Sequence, residues 1–346
     1  MSVEPEIIFD LRDGIAEVTL NRPQALNALT LNMVRILDSQ LAAWESDDAV
    51  CVVVVRGAGD KAFCAGGDIQ KLYDGGPKSL ITQEFFREEY RLNWRIHNYP
   101  KPYIAIMDGI TMGGGVGLSV HASTRIAADN TIFAMPETGI GLFPDVGGSW
   151  FLPRLPGELG MYMAMTGARL KSADCVYAKI CDAYMPSDRH DEFVAALRAG
   201  KGIENVLACL SVAPGEAALA EIRDAIDLCF SGCSVEEIVM ALEADGSEWS
   251  TKQLGIMAGK SPTSQKVAYR QLRAGAALDF DGCMVMEYRM SQAFMEGGDT
   301  FEGIRAVVVD KDMSPKWSPA SLSDLSDADV ARYFISLGER DLTFPD

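Results

Sequence analysis

No stretch of the 346-residue chain approaches the roughly 20 apolar residues that a membrane-spanning helix needs. Basic charge is scarce too: 31 Lys and Arg stand against 49 Asp and Glu, a net charge of −18. A chain so acidic has no field with which to neutralise phosphates, so nucleic acid is excluded as the expected partner. The same deficit argues against docking on an anionic membrane surface. An anionic ligand would need a few Lys or Arg gathered at its own site. The acidity itself reads most simply as a solubility device.

Histidine is rarer still, with three in the chain, at 97, 121 and 190. HExxH and paired Cys/His clusters are missing, so no metal is expected. Ser119 and His121 lie two apart and would point apart on a helix, and "GLSVHA" is not GxSxG, which removes a serine triad. The GxGxxG spacing of a dinucleotide site is absent. "GIMAGKS" (255–261) is one residue short of a phosphate loop and lies in a helical stretch. The eight cysteines form no CxxC pair. Most sit in apolar runs such as "VCVVVV" and "VLACL", where a thiol packs as a small hydrophobe. With no disulfide framework and no signal peptide in "MSVEPEIIFDL", the cytoplasm is the expected compartment. The mitochondrial matrix stays open if a transit peptide was removed ahead of this Met1.

What is present is a layered pattern. "EIIFDLRDGIAEVTLNRP" reads as a hairpin turning at Asp13-Gly14 and closed by Pro23. "LTLNMVRILDSQLAAWESD" spaces Met33, Leu37, Leu41 and Trp44 as an amphipathic helix, with Thr30 as its N-cap. "AVCVVVVRGAG" is continuously apolar, as in a strand covered on both faces. A glycine loop (62–68), a helix near 82–97, a strand at 102–107 and a second glycine loop (113–117) follow. The order recurs in "TRIAADNTIFAMPETGIG", which predicts an α/β core of successive ββα turns. From about 188 onward the texture turns helical. The expected division is a core at 1–195 and a helical C-terminal region at 196–346.

The glycine loops carry the first chemical signal. "KAFCAGGDIQKL" ends a strand in Ala-Gly-Gly-Asp, where Gly67 adds no Cβ to block a ligand and Asp68 can cap the next helix. An ordinary tight turn would look the same. "DGITMGGGVGLSVHA" lets a helix start with free N–H groups facing a ligand oxygen. Gly67 and Gly114 together supply the two donors of an oxyanion hole, whose loss typically costs about 3–4 kcal/mol per donor. Cys64, beside the first loop and with no histidine near in sequence, reads as packing.

The carboxylates carry the second. "FAMPETGIGLFPDVGGSWFLPRL" (133–155) places Glu137 and Asp145 in a stretch otherwise almost wholly apolar, Gly or Pro. An ionised carboxylate in such company is costly unless paired, and burial raises its pKa toward useful basicity. Arg154 is a structural partner within sequence reach of Glu137. Asp145 suits catalysis and the N-cap of the short helix in "VGGSWFLPRL" about equally.

Taken together, "LNRPQALNAL", "AFCAGGD", "MGGGVGLS" and "MPETGIGLFPDVGG" resemble the crotonase (enoyl-CoA hydratase/isomerase) superfamily. "FFREEY", "SPTSQKVAYRQL", "MEYRMSQAF" and "EGIRAVVVDKDMSPKWSP" extend the likeness over nearly the whole chain, toward its 3-hydroxyisobutyryl-CoA hydrolase branch. The resemblance implies a crotonase-like spiral of ββα turns with a helical C-terminal region. It implies an acyl-CoA substrate, its carbonyl held by Gly67 and Gly114. The CoA would lie near "NRPQAL", with Arg22 and Ala25, and near Lys61. Lys316 and Trp317 of "SPKWSP" are further candidates. No separate cofactor is implied, since CoA is part of the substrate. Glu137 carries over as the catalytic carboxylate, Asp145 as its partner and Glu89 as a pocket residue. Glu89 alternatively belongs to a salt-bridged helix face with Arg87 and Arg91.

One departure from the wider family is chemical. Its hydratases use two glutamates, and the position of one is Gly117 here, which cannot act as a base. Thioester hydrolysis, needing a polarised carbonyl, a nucleophile and a proton for the thiolate, is therefore expected of Glu137 and Asp145. Hydration or isomerisation of an enoyl-CoA, and noncatalytic acyl-CoA binding, are the alternatives. Homo-oligomers are common among the superfamily, and one is compatible with this sequence.

Overall fold

A computed structural model describes residues 4–345. Met1–Val3, part of the opening stretch read for a signal peptide, and Asp346 lie outside the described residues. The chain gathers into two compact units, each assembled from three separated stretches.

The first unit takes the chain up to Gly67, then 91–133 and 169–221. It opens with β1 (Ile7–Arg12) and β2 (Ile15–Leu20), paired antiparallel. Asp13 and Gly14 turn between them with φ of 50° and 81°, as a two-residue hairpin with the right-handed strand twist requires. β3 (Val52–Gly57), β5 (Tyr103–Met107), β7 (Thr124–Ala127) and β10 (Ala183–Tyr184) continue that sheet in the order β1-β2-β3-β5-β7-β10. β4 (Ala62–Cys64), β6 (Ile110–Met112), β8 (Ile132–Ala134) and β9 (Leu170–Lys171) form a second sheet in the order β4-β6-β8-β9. From β3 to β8 successive strands alternate between the sheets, so each turn of chain lays one strand in each. That alternation is the succession of ββα turns that the repeated pattern predicted, and the spiral that the resemblance implied.

Burial explains the strand sequences. Val53, Val54 and Val55 of β3 are wholly inaccessible, which is why that strand reads as a continuous apolar run. Helix α1 (Leu31–Glu45) buries Met33, Val34, Leu37, Leu41 and Trp44 at helical spacing. The Thr30 hydroxyl caps it, accepting from the Met33 N–H at 3.1 Å. Val54, Ile104 and Ile126 pack with Phe193 and Leu197 from the helix His190–Arg198 in one apolar cluster.

The second unit takes 68–90, 134–168 and 222–346. Among the described residues it holds α2 (Ile69–Gly75), the first half of α3 (Leu80–His97) and eight further α-helices, whole or in part, before residue 310. Its core is aromatic: Phe143 lies 5.5 Å from Phe294, Phe294 lies 4.5 Å from Tyr333, and Tyr162 lies 5.3 Å from Phe230. Beyond β10 no strand occurs among the described residues. Among them, too, no helix is long and apolar enough to cross a membrane.

The linear division at 195/196 does not match these units. Met185, Phe193, Val194, Leu197, Val206 and Leu210 cluster with the strand residues of the first unit, which keeps the chain there until about 221. Meanwhile 68–90 and 134–168 leave it to pack with the C-terminal helices. The helical texture after 188 was legible; the grouping of segments depended on distant contacts.

Candidate active site

In the first unit β4 ends at Cys64, and Gly66 turns the chain with a φ of 116°, a backbone conformation that side chains rarely adopt. The Leu29 N–H donates to the Gly66 carbonyl at 2.8 Å and fixes the loop that presents Gly67. After β6, helix α4 (Gly114–Ser119) starts inside the glycine run rather than beyond it. Gly115 is what permits this: a Cβ there would stand 2.1 Å from the Cys64 carbonyl oxygen. Gly114 is thus the first residue of a helix, where the N–H has no intrahelical acceptor. Among the described residues, no backbone oxygen accepts from the N–H of Gly67 or Gly114.

Neighbouring polar groups have structural work. Asp68 occupies the N-cap position of α2, yet its side chain makes no capping hydrogen bond, contrary to expectation. Ser119 donates to the Gly115 carbonyl at 2.8 Å, and the buried Cys64 thiol reaches the Gly66 carbonyl at 3.6 Å.

The "NRPQAL" loop has a cleft of about 220 Å³ beside it, lined by Pro23, Leu26, Asn27 and Ala58–Ala62. Lys61 is exposed on its rim. Ala25 is half-buried in the short turn Pro23–Ala25. The Arg22 guanidinium is spent inside its own loop, pairing with Glu6 at 3.4 Å and donating to the Ala28 carbonyl. Asn27 is the residue that sequence reasoning overlooked. Its buried amide donates to the Ala58 and Ala62 carbonyls at 3.0 and 2.8 Å and accepts from the Arg22 N–H at 2.9 Å, tying both walls together.

The acids lie in the second unit. Glu137 begins a 3₁₀ turn, Glu137–Ile140, directly after Pro136. Its side chain is buried, and its Oε2 has no hydrogen-bond partner. Arg154 is not its partner: the guanidinium stacks 3.4 Å over the Trp150 ring and donates to the Trp150, Gly275 and Leu278 carbonyls. The cation acting on Glu137 is Lys260. Asp145 is not a cap either, because helix α5 (Gly148–Phe151) has Gly147 at its N-cap. Instead Asp145 is buried and accepts from the Tyr90 hydroxyl at 2.9 Å. Glu89 is 2% exposed with Oε1 unpartnered, so it is no member of a salt-bridged surface. Arg87 turns away to the Tyr288 hydroxyl and the Arg340 carbonyl.

Burial is the leading cause of every shift in this cluster. It holds Glu137 and Glu89 well above the usual carboxylate range, with the charge of Asp145 adding to both. Asp145 is pushed up to about 7 by burial, against the opposing hydrogen bond from Tyr90. Glu287 is pushed up to about 8 by burial, although backbone N–H groups of Gly147 and Ser149 favour its ionised form. Four carboxyl groups so enclosed cannot all be charged together, so some of them keep protons well above the usual carboxylate range.

Tyr90 and Glu287 were both missed from sequence. The signal for Glu287 was its place on the buried stripe of helix Phe280–Phe294, with Cys283, Met290, Ser291 and Phe294. Glu89 likewise shares a buried stripe with Phe85, Phe86 and Asn93. A carboxylate on an apolar stripe is a stronger sign than the same residue among charged neighbours.

Comparison with known proteins places this geometry. The enoyl-CoA hydratase/isomerase family matches residues 15–334. The mitochondrial 3-hydroxyisobutyryl-CoA hydrolase of Danio rerio is 48% identical over 97% of this chain and 91% of its own. The Homo sapiens protein of that name is 46% identical over 98% and 91%. Among solved structures, a carnitinyl-CoA dehydratase from Mycobacterium thermoresistibile superposes with a TM-score of 0.94 at 41% identity, covering 99% of each chain. An enoyl-CoA hydratase from Rhodobacter sphaeroides 2.4.1 gives 0.92 at 37%, covering 98% of this chain and all of that one. With a family match spanning most of its length and relatives of such identity end to end, this chain belongs to the enoyl-CoA hydratase/isomerase family.

Proposed function

We propose that the chain is an acyl-CoA thioester hydrolase acting on 3-hydroxyisobutyryl-CoA, releasing 3-hydroxyisobutyrate and free CoA. In this reading the N–H groups of Gly67 and Gly114 bind the thioester oxygen as negative charge builds on it. Glu137 either attacks the carbonyl carbon to form a mixed anhydride, which water then hydrolyses to the free acid and the restored carboxylate, or draws a proton from water that attacks the carbonyl carbon itself. The C–S bond breaks as the thiolate takes a proton, and Asp145 shares that proton traffic. Glu89 borders the acyl group, while Lys61, Ala25 and the backbone at Arg22 border the CoA.

The observation that carries the reading is the pairing of acids. Glu137 is buried with an unpartnered oxygen and lies within electrostatic reach of Asp145, while the residue at 117 is a glycine. The curated relatives named above are hydrolases of this thioester, which supports the same conclusion. Those relatives are mitochondrial by name, which favours the matrix over the cytoplasm for this chain. A second reading, hydration of an enoyl-CoA, is favoured by the names of the two similar solved structures.

The discriminating experiment compares rates on 3-hydroxyisobutyryl-, 3-hydroxypropionyl-, acetyl- and crotonyl-CoA. Thiol release fastest with the first is the expected result. Loss of the conjugated absorbance of crotonyl-CoA without thiol release would replace hydrolysis by hydration. Single-turnover hydrolysis in oxygen-18 water separates the two roles of Glu137. Label in its peptide marks direct attack followed by water adding at the Glu137 carbonyl, and unlabelled Glu137 favours activation of water.

A further inference from the structure

The segment carrying Asp145 is held in a backbone shape that its own sequence disfavours. Val146 has a φ of 50°, although a β-branched residue is the least tolerant of that region. Gly147 follows with a φ of 91°. A non-glycine residue in such a conformation is strained and persists only where surrounding contacts impose it. Those contacts are visible, and they come from two distant helices.

Glu287, wholly inaccessible to solvent, accepts from the Gly147 N–H through Oε2 and from the Ser149 N–H through Oε1, each at 2.8 Å. Gln271, equally buried, donates from Nε2 to the Pro144 carbonyl at 2.6 Å and to the Ser149 hydroxyl at 2.9 Å. At the end of the same helix, Gly275 lets the backbones meet: a Cβ there would stand 2.1 Å from the Ser149 carbonyl oxygen. Asp145 is thus clamped on both sides, at Pro144 before it and at Gly147 and Ser149 after it.

The chemistry of Glu287 suits this task and few others. Burying a carboxyl group is expensive, and a residue whose only role was to fill space would be apolar. Only a carboxylate offers two acceptor oxygens in a fork to two convergent N–H groups; an amide would turn a donor toward one of them. We infer that Glu287, assisted by Gln271, is a positioning residue that holds the Asp145 loop in its strained, working conformation. The inference rests on the proposed role of Asp145. It adds that the acid's placement depends on a residue far along the chain that need not touch the substrate. The charged and titratable groups acting with Glu287 are Asp145, Glu137, Tyr90 and Cys283, with Lys260 acting on Glu137.

The test is steady-state hydrolysis of 3-hydroxyisobutyryl-CoA by Glu287→Gln. A displacement of about 1 Å in a reacting group can cost about a hundredfold in rate. The expected result is therefore a fall in kcat of about 100-fold with KM changed less than twofold. Where Glu287 is ionised, above about 8, removing its charge also lets Glu137 ionise more readily, so the upper part of the pH profile of kcat/KM should move to lower pH. Glu287→Asp, which keeps the charge but reaches one N–H less well, should recover part of kcat. A Glu287→Gln enzyme with wild-type kcat and pH profile overturns the proposal, as does a rise in KM alone. Should Glu287→Gln fail to fold, Gln271→Leu carries the test through a roughly tenfold loss of kcat at constant KM, and an unchanged kcat overturns the proposal. If the wild type releases no thiol at all, the hydrolase reading has failed instead. The clamp is then judged by amide hydrogen exchange at Gly147 and Ser149. Protection there that falls in the variant upholds it, and unchanged exchange overturns it.

Discussion

The strand-rich unit and the helix-rich unit contribute chemical groups of different kinds. The first offers, in the proposed reaction, the backbone N–H groups of Gly67 and Gly114, from which no backbone oxygen accepts among the described residues. Such donors have no pKa in the working range and need no partner to stay in one state. The second offers side chains, Glu137, Asp145, Glu89 and Glu287, each buried and each pushed above the usual carboxylate range. The difference teaches where sensitivity to conditions must arise. In the proposed reaction the glycine N–H groups are a fixed electrostatic feature, and the acids of the second unit, Asp145 at about 7 and Glu287 at about 8 among them, are the groups whose charge changes with pH.

The sharpest way to break this contrast is to remove the central side chain. Glu137→Gln keeps the shape and abolishes the carboxylate, and thiol release should fall by at least about 1,000-fold. Substantial residual turnover would move the chemistry elsewhere. Next comes the backbone side of the comparison. Gly114→Pro deletes one N–H at the first position of a helix, where proline is tolerated. The expected loss is about 100- to 1,000-fold in kcat, with the pH profile keeping its shape. A shifted profile would show that the two units are not separable in this way, provided circular dichroism matches the wild type.

Tyr90→Phe should act more gently. It removes the hydroxyl that favours ionised Asp145, so the Asp145 pKa rises further from about 7. A fall in kcat of about three- to tenfold is expected, with the corresponding limb of the pH profile moving to higher pH.

The smallest effect is on stability. Asp145 at about 7 and Glu287 at about 8 lie above the roughly 4 of an unfolded carboxyl group. Between those values the folded chain keeps protons that the unfolded chain has released, so rising pH favours unfolding. Glu302 works in the opposite sense. Held down to about 2 chiefly by hydrogen bonds from Arg305, it stabilises above pH 4 and loses that contribution as pH falls toward 2. Thermal unfolding should therefore move down by several degrees between pH 5 and pH 8. A melting temperature that rises over that range would contradict the burial described for the acids.

Much of the first unit was legible in the sequence because its signals are local. The Asp13-Gly14 turn, the Thr30 cap and the continuous valines of β3 each depend on neighbours within a few residues. Glu137 and Asp145 stood out because their surroundings in the chain are apolar. What stayed hidden depends on contacts between distant segments. Asp145 suited a cap as well as catalysis until Tyr90 was seen to occupy its carboxylate, and Arg154 was an alternative partner for Glu137 until Trp150 was seen beneath it. Glu287 was passed over altogether, and only the N–H groups some 140 residues earlier give it a purpose.

That separation along the chain has a consequence for biosynthesis. The Asp145 segment leaves the ribosome well before the helix bearing Glu287 has been translated, and it meets its clamp only after some 140 further residues have been made. A nascent chain halted around residue 195 would carry both acids of the proposed reaction while lacking everything from 222 onward that folds with them. A message cut short there would yield no smaller enzyme, only exposed apolar surface for chaperones and proteases to find.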